Sequence, residues 1–136
     1  MLAHADLSIA GVRGACASAI HALSQAVSKR AIRFEAAKTL EETLSRLRAV
    51  RAIGESKAHY IALRACGEPD AFPFTDIGLR RSTGNGGIPV SPIALLRIAD
   101  SWRPWRAYAA MQLWASHAAF TNHRRARSAH SAQSDW

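Results

Sequence analysis

Three features of this chain predict an all-α fold. Apolar residues recur at three- and four-residue spacing, capping residues precede those runs, and no stretch alternates apolar and polar positions with a β-branched bias. No internal repeat is present. The pattern predicts five or six helices.

Over 12–29, Val12, Cys16, Ile20, Leu23 and Val27 fall on one stripe of a first helix whose other face is polar. Thr39 with Glu42 three residues later reads as a capping box, and Leu40, Leu44 and Leu47 carry a second helix to about Arg51. Ile53-Gly54 allows a tight turn through a positive φ at glycine, and Ser56 is placed to cap a third helix through Tyr60, Ile61 and Leu63 to about Cys66. Gly67-Glu68-Pro69-Asp70 ends it. Thr75 or Asp76 then caps a short helix through Leu79 and Arg81, and Thr83-Gly84-Asn85-Gly86-Gly87 is too glycine-rich for regular structure. Ser91-Pro92 is a cap followed by proline at the first helical position and opens a helix to about Asp100; Pro104 opens another to about Phe120. Residues 121–136 are polar and rich in Arg and Ser, the composition of a disordered tail.

A length of 136 residues suits one domain and its core. Lys and Arg number 18 against 10 acidic residues, a formal net charge of +8 with a pI near 10.7. Polyanions are therefore attracted, nucleic acid first and an anionic membrane surface second, unless the arginines simply solvate helix faces. Cys16 and Cys66 are too few for a four-cysteine iron–sulfur cluster or zinc site and read as core thiols. The six histidines show no metal-ligand spacing. His4, Asp6 and Arg13 interrupt the apolar N-terminal stretch, so it does not read as a signal peptide, and no run reaches the length of a membrane span. These features predict a cytoplasmic protein.

Three ordered blocks carry a resemblance. They are Ile53-Gly54 through Tyr60-Ile61-Ala62-Leu63-Arg64; Asp70-Ala71-Phe72-Pro73 with Thr75-Asp76-Ile77-Gly78-Leu79-Arg80-Arg81; and Trp102-Arg103-Pro104-Trp105-Arg106-Ala107-Tyr108-Ala109 with Leu113-Trp114. Together they resemble the C-terminal half of the helix-hairpin-helix DNA glycosylase superfamily, nearest to the bacterial 3-methyladenine DNA glycosylase II family. On that resemblance residues 1–120 form a partial glycosylase domain followed by the 121–136 basic tail. Full-length relatives carry further helices before this segment, which supply part of the base pocket and the wedge side chain. The resemblance thus implies a truncated chain whose exposed core is covered by an oligomer or a partner chain.

The function implied is base-excision repair of double-stranded DNA, by hydrolysis of the N-glycosidic bond of alkylated purines. Asp76 takes the catalytic position beside the sugar of an extruded nucleotide. Tyr60 and Trp114 match pocket aromatics, which suit cationic bases such as 3-methyladenine. Ile53, Gly54, Ser56 and Lys57 fall on the phosphate-holding hairpin, where backbone N–H groups meet one phosphate. The family hairpin usually reads Pro-Gly-Ile-Gly; here it is Arg51-Ala52-Ile53-Gly54, which puts alanine at a positive-φ position. Relatives that also cleave the backbone use a lysine where Ser56 stands, so the reaction expected is simple hydrolysis. No iron–sulfur cluster is implied, and a monovalent cation on the hairpin carbonyls is allowed.

Alternatives stay open beside each reading. Asp76 also fits a plain N-cap, Tyr60 and Trp114 fit core aromatics as Trp102 and Trp105 do, and Ile53-Gly54 fits an ordinary interhelical turn. Arg46, Arg48, Arg80, Arg81, Arg124, Arg125 and Arg127 line a DNA face or are solvated. The rival function is a non-catalytic or degenerate helix-hairpin-helix DNA-binding module.

Overall fold

A computed structural model describes residues 6, 7, 9–12, 14–32 and 39–131, with side chains as far as 119 and at 121. Six α-helices and one short 3₁₀ turn make up the regular structure of these residues, without a strand. The all-α expectation holds. The chain divides into two compact units, residues 1–71 and 72–136, each taken by itself below.

The first unit contains α1 (Gly14–Ser28), α2 (Leu40–Arg48) and α3 (Glu55–Ala65). Leu44, Leu47, Ile53, Ala58 and Ala62 are buried together with Ile32 and Ala71, and Leu23 and Ala26 of α1 pack against this cluster. α2 begins where the capping box places it: the Thr39 side chain accepts from the Glu42 N–H at 3.2 Å. α3 begins earlier than expected. Its N-cap is Gly54, in extended backbone, and Ser56 lies inside the first turn rather than capping it. Apolar packing explains the shift, since burying Ile53 and Ala58 sets the helix register regardless of which residue has a capping oxygen.

Cys16 is exposed and Cys66 is half-buried, so neither is a core thiol. The stripe of α1 is only partly covered, and Val27 is exposed. Partial burial, and then the Glu68 carboxylate, push the Cys66 thiol up from its ordinary pKa and disfavour the reactive thiolate.

The second unit contains α4 (Ile77–Thr83), α5 (Pro92–Ala99), the 3₁₀ turn Asp100–Trp102, and α6 (Arg106–Ser131). Phe72, Leu79, Leu95, Ala99 and Ala110 are fully buried. α4 packs chiefly on α6. Ser91 caps α5 through the Ala94 N–H at 3.1 Å, with Pro92 at the first helical position. Trp102 meets Phe72 edge-on, ring centroids 5.9 Å apart, in keeping with a packing role. Trp105 does not share it: the residue is 58% exposed and its ring lies against Tyr108.

α6 starts two residues beyond Pro104 and continues to Ser131, through much of the stretch whose composition suggests a disordered tail. Residues 118–131 contain no Gly or Pro and many Ala and Arg, all good helix formers, so a helix already nucleated upstream propagates through them. Residues 132–136 lie outside the described part.

Candidate functional site

The α2–α3 turn is held by local contacts. Val50 N–H bonds to the Leu47 carbonyl and Ile53 N–H to that of Val50, both at 3.1 Å, which turns the chain back between two helices. Ala52 occupies the left-handed region at φ 68°, as the Ala-for-Gly comparison implies. The positive φ therefore resides at Ala52; Gly54 itself is extended, with φ −90° and ψ −177°. No contact requires the missing side chain at Gly54, since a Cβ there would meet nothing within 4 Å. The N-terminus of α3 thus opens outward behind a residue with no side chain to cover it, and its first N–H groups lack intrahelical partners.

The charges around this turn are mostly committed. Arg48 donates to Glu55 Oε2 at 2.8 Å and also pairs with Glu41; Arg46 pairs with Glu42. The Glu55 hydrogen bond, first of all, raises the Arg48 pKa above its ordinary value. The other Glu55 oxygen lies 3.2 Å from Nε2 of buried His59. Glu55 is thus a carboxylate at the mouth of the helix with its charge largely answered by Arg48. Lys57 Nζ donates to the Ala52 carbonyl at 3.1 Å, placing an ammonium over the turn. That carbonyl is already served by a tethered cation, so it is a poor seat for a free monovalent ion. Ile53 is buried, Ser56 half-buried, and Tyr60 48% exposed on α3.

In the second unit, Asp76 is the N-cap of α4. Its Oδ1 accepts from the Leu79 N–H at 2.9 Å and from Trp114 Nε1–H at 3.0 Å. The local reading as a cap and the tertiary link to Trp114 are both present on one oxygen. Among the described residues Oδ2 accepts no hydrogen bond, so one carboxylate oxygen is fixed and the other is available. Gly78 makes this arrangement fit. A Cβ on it would stand 3.0 Å from Asp76 Oδ1, 3.6 Å from Trp114 Cδ1 and 3.8 Å from His117 Cδ2. Ser82 reinforces the contact, donating toward the Gly78 carbonyl at 2.9 Å and the Leu113 carbonyl at 3.1 Å across the α4–α6 interface.

The structure therefore joins Asp76 and Trp114 directly. Ile53, Gly54, Ser56, Lys57 and Tyr60 belong to the other unit. Of the arginines, Arg46 and Arg48 are ion-paired and Arg80 Nε donates to the Val90 carbonyl at 2.7 Å; the side chains of Arg124, Arg125 and Arg127 lie outside the described part. Sequence reasoning did not find Gly78 or His117. The only signal was spacing: Gly78 is two residues past Asp76, and His117 is one helical turn past Trp114 on the same face of α6. Among the described residues no group of His, Cys, Asp and Glu could hold a metal ion, and no helix is long and apolar enough to cross a membrane.

No family model matches the chain. Two relatives, each called "Probable bifunctional transcriptional activator/DNA repair enzyme AlkA" and from two strains of Mycobacterium tuberculosis, are 47% identical to it over 47 residues. The shared stretch is 35% of this chain and 10% of each relative's length. Through that stretch the chain has a partial AlkA-like relationship.

Proposed function

We propose that this chain is a helix-hairpin-helix DNA-binding portion of a monofunctional DNA glycosylase that hydrolyses the N-glycosidic bond of alkylated purines. The observation that carries the reading is Asp76: a half-buried carboxylate with one oxygen anchored by Leu79 N–H and Trp114 Nε1–H, and the other unengaged.

As the bond between the sugar C1′ and the base nitrogen breaks, its electron pair leaves with the base and positive charge develops on the deoxyribose. A carboxylate about 4 Å away stabilises that charge by up to ~4 kcal/mol at an effective dielectric near 20, roughly a thousandfold in rate. Water then adds to C1′ and its proton is lost to the carboxylate or to solvent. Alkylated purines are already cationic, so no protein acid is needed to help them depart. Ser56 stands where a nucleophilic lysine would be required for an imine, and the anchored Lys57 points to the turn instead. Gly54 to Lys57 present the α3 N-terminus to a backbone phosphate, with Lys57 supplying the local positive charge in place of a free cation.

The test is release of 3-methyladenine and 7-methylguanine from methylated duplex DNA. Asp76→Asn is expected to lower release about a thousandfold while DNA affinity stays the same or rises. Equal release by both proteins would remove Asp76 from the mechanism. Steeply salt-dependent binding with no release by wild type would favour the rival reading, a binding module without turnover; the short share of each relative that the chain matches is what keeps that reading in play.

A further inference from the structure

Beside the Asp76 seat, between the C-terminal end of α4, the glycine-rich loop and α6, is an open cleft of about 310 Å³ whose walls include Arg81, Gly84, Gly86, Gly87, Ser116 and His117. Of these residues only His117 also borders the Asp76 arrangement. The cleft and that site share a wall. The same Gly78 whose hydrogen faces Asp76 Oδ1 also faces the His117 ring, so carboxylate and imidazole flank one glycine.

Hydrogen bonding distinguishes the two arginines of α4. Arg80 is spent on the loop, its Nε bonded to the Val90 carbonyl, and the Val90 N–H returns to the Arg80 carbonyl at 3.0 Å. Arg81 has no carboxylate partner among the described residues, whereas Arg46, Arg48 and Arg103 are each ion-paired. Its guanidinium brings an unanswered positive charge to the cleft.

The loop adds bare backbone. A Cβ on Gly84 would fall 1.7 Å from the Ile88 carbonyl oxygen, so the loop closes tightly only with glycine there. Gly86 and Gly87 take φ of 61° and 83°, and space is open where their side chains would be. Within the described residues neither donates its N–H. A guanidinium, an imidazole and two glycines with uncommitted N–H groups line one opening, a set of donors that matches a tetrahedral oxyanion. They do not suit an alkylated purine, whose positive charge Arg81 would repel.

We propose that this cleft is a phosphodiester subsite, in which Arg81, His117 and the Gly86–Gly87 backbone hold a nucleic-acid phosphate next to the nucleotide presented to Asp76. The proposal rests on the glycosylase reading for the identity of its polyanion and adds a second phosphate contact, independent of the hairpin.

Fluorescence anisotropy of the full chain with a duplex containing a tetrahydrofuran abasic site tests it. Arg81→Gln is expected to weaken binding about five- to tenfold and to reduce the slope of log affinity against log salt by about one. Ser116→Trp, which keeps the charge and fills the cleft, is expected to weaken binding about as much. Arg97→Gln, which removes an exposed charge on α5, is expected to stay within about twofold of wild type. A scan with neutral methylphosphonates should find one position that costs wild type affinity and costs Arg81→Gln none. Arg81→Gln and Ser116→Trp binding no worse than Arg97→Gln, or a scan unchanged by Arg81→Gln, would overturn the subsite. That result leaves the glycosylase reading intact if Asp76→Asn still loses base release. Weakened binding by Arg81→Gln with base release insensitive to Asp76 would support the subsite and remove the carboxylate, and a wild type that binds no duplex would overturn both.

Discussion

The α2–α3 hairpin of the first unit offers backbone, whereas the α4–α6 pair of the second offers a side chain. At the hairpin a left-handed Ala52, an extended Gly54 and the ion pairs of Arg48 arrange N–H groups through contacts within a few residues. At α4, the orientation of Asp76 depends on Trp114, 38 residues away, and on the small volume of Gly78. A backbone site can be built by local sequence and tolerates drift in its surroundings. A side-chain site requires that two helices pack in one register, so it is more easily lost.

The largest effects should come from the two cores. Phe72→Ala in the second unit is expected to cost about 3–5 kcal/mol, and Leu47→Ala in the first about 2–5 kcal/mol, both residues being essentially fully buried. Hydrogen exchange will show whether each substitution opens only its own unit; if Leu47→Ala loosens α4 and α6 as much as α2 and α3, the two regions do not behave separately. Next in size, Trp114→Phe keeps an aromatic ring, though a smaller one, and removes the donor to Asp76. A hydrogen bond to a charged group is worth about 1.5–3 kcal/mol, so base release should fall roughly ten- to a hundredfold with little change in DNA affinity. Unaltered release would reduce Trp114 to a packing residue.

Smaller effects sharpen the hairpin side. Ala52→Gly should raise stability by about 1 kcal/mol in thermal or denaturant unfolding, because φ of 68° strains alanine and not glycine; a loss of stability would mean that the turn relaxes without strain. Smallest of all, Gly54→Ala should alter stability by less than about 0.5 kcal/mol, since its Cβ would meet only open space. On the proposed phosphate contact, DNA affinity should still drop, because the new methyl group would stand in the path of the phosphate. Unchanged affinity would deny the hairpin its proposed role.

The caps show what was legible. Thr39 with Glu42, and Ser91 with Pro92, announce helix starts because capping is an exchange between a side chain and an N–H three residues on, both within one short window. Asp76 was legible in the same way, as one of two candidate caps. The start of α3 was not, because Gly54 caps with backbone alone and burial of Ile53 and Ala58 outweighed the hydroxyl of Ser56. The exposure of Trp105 and Cys16 was equally hidden, since periodicity identifies a face and not whether anything covers it.

The amino-acid order by itself determined the helical class, the position of the turn between α2 and α3 and a pair of candidate caps for α4, all of which follow from interactions within a turn or two; the left-handed alanine was legible only through the family comparison. Only the tertiary structure decided that Trp114 donates to Asp76, that Gly78 leaves room for it, and that Arg80 is bonded to the Val90 carbonyl while Arg81 lines an open cleft. The reason is range: capping and propensity act over three or four residues, while a shared hydrogen bond between α4 and α6 exists only once burial has brought the two helices into register.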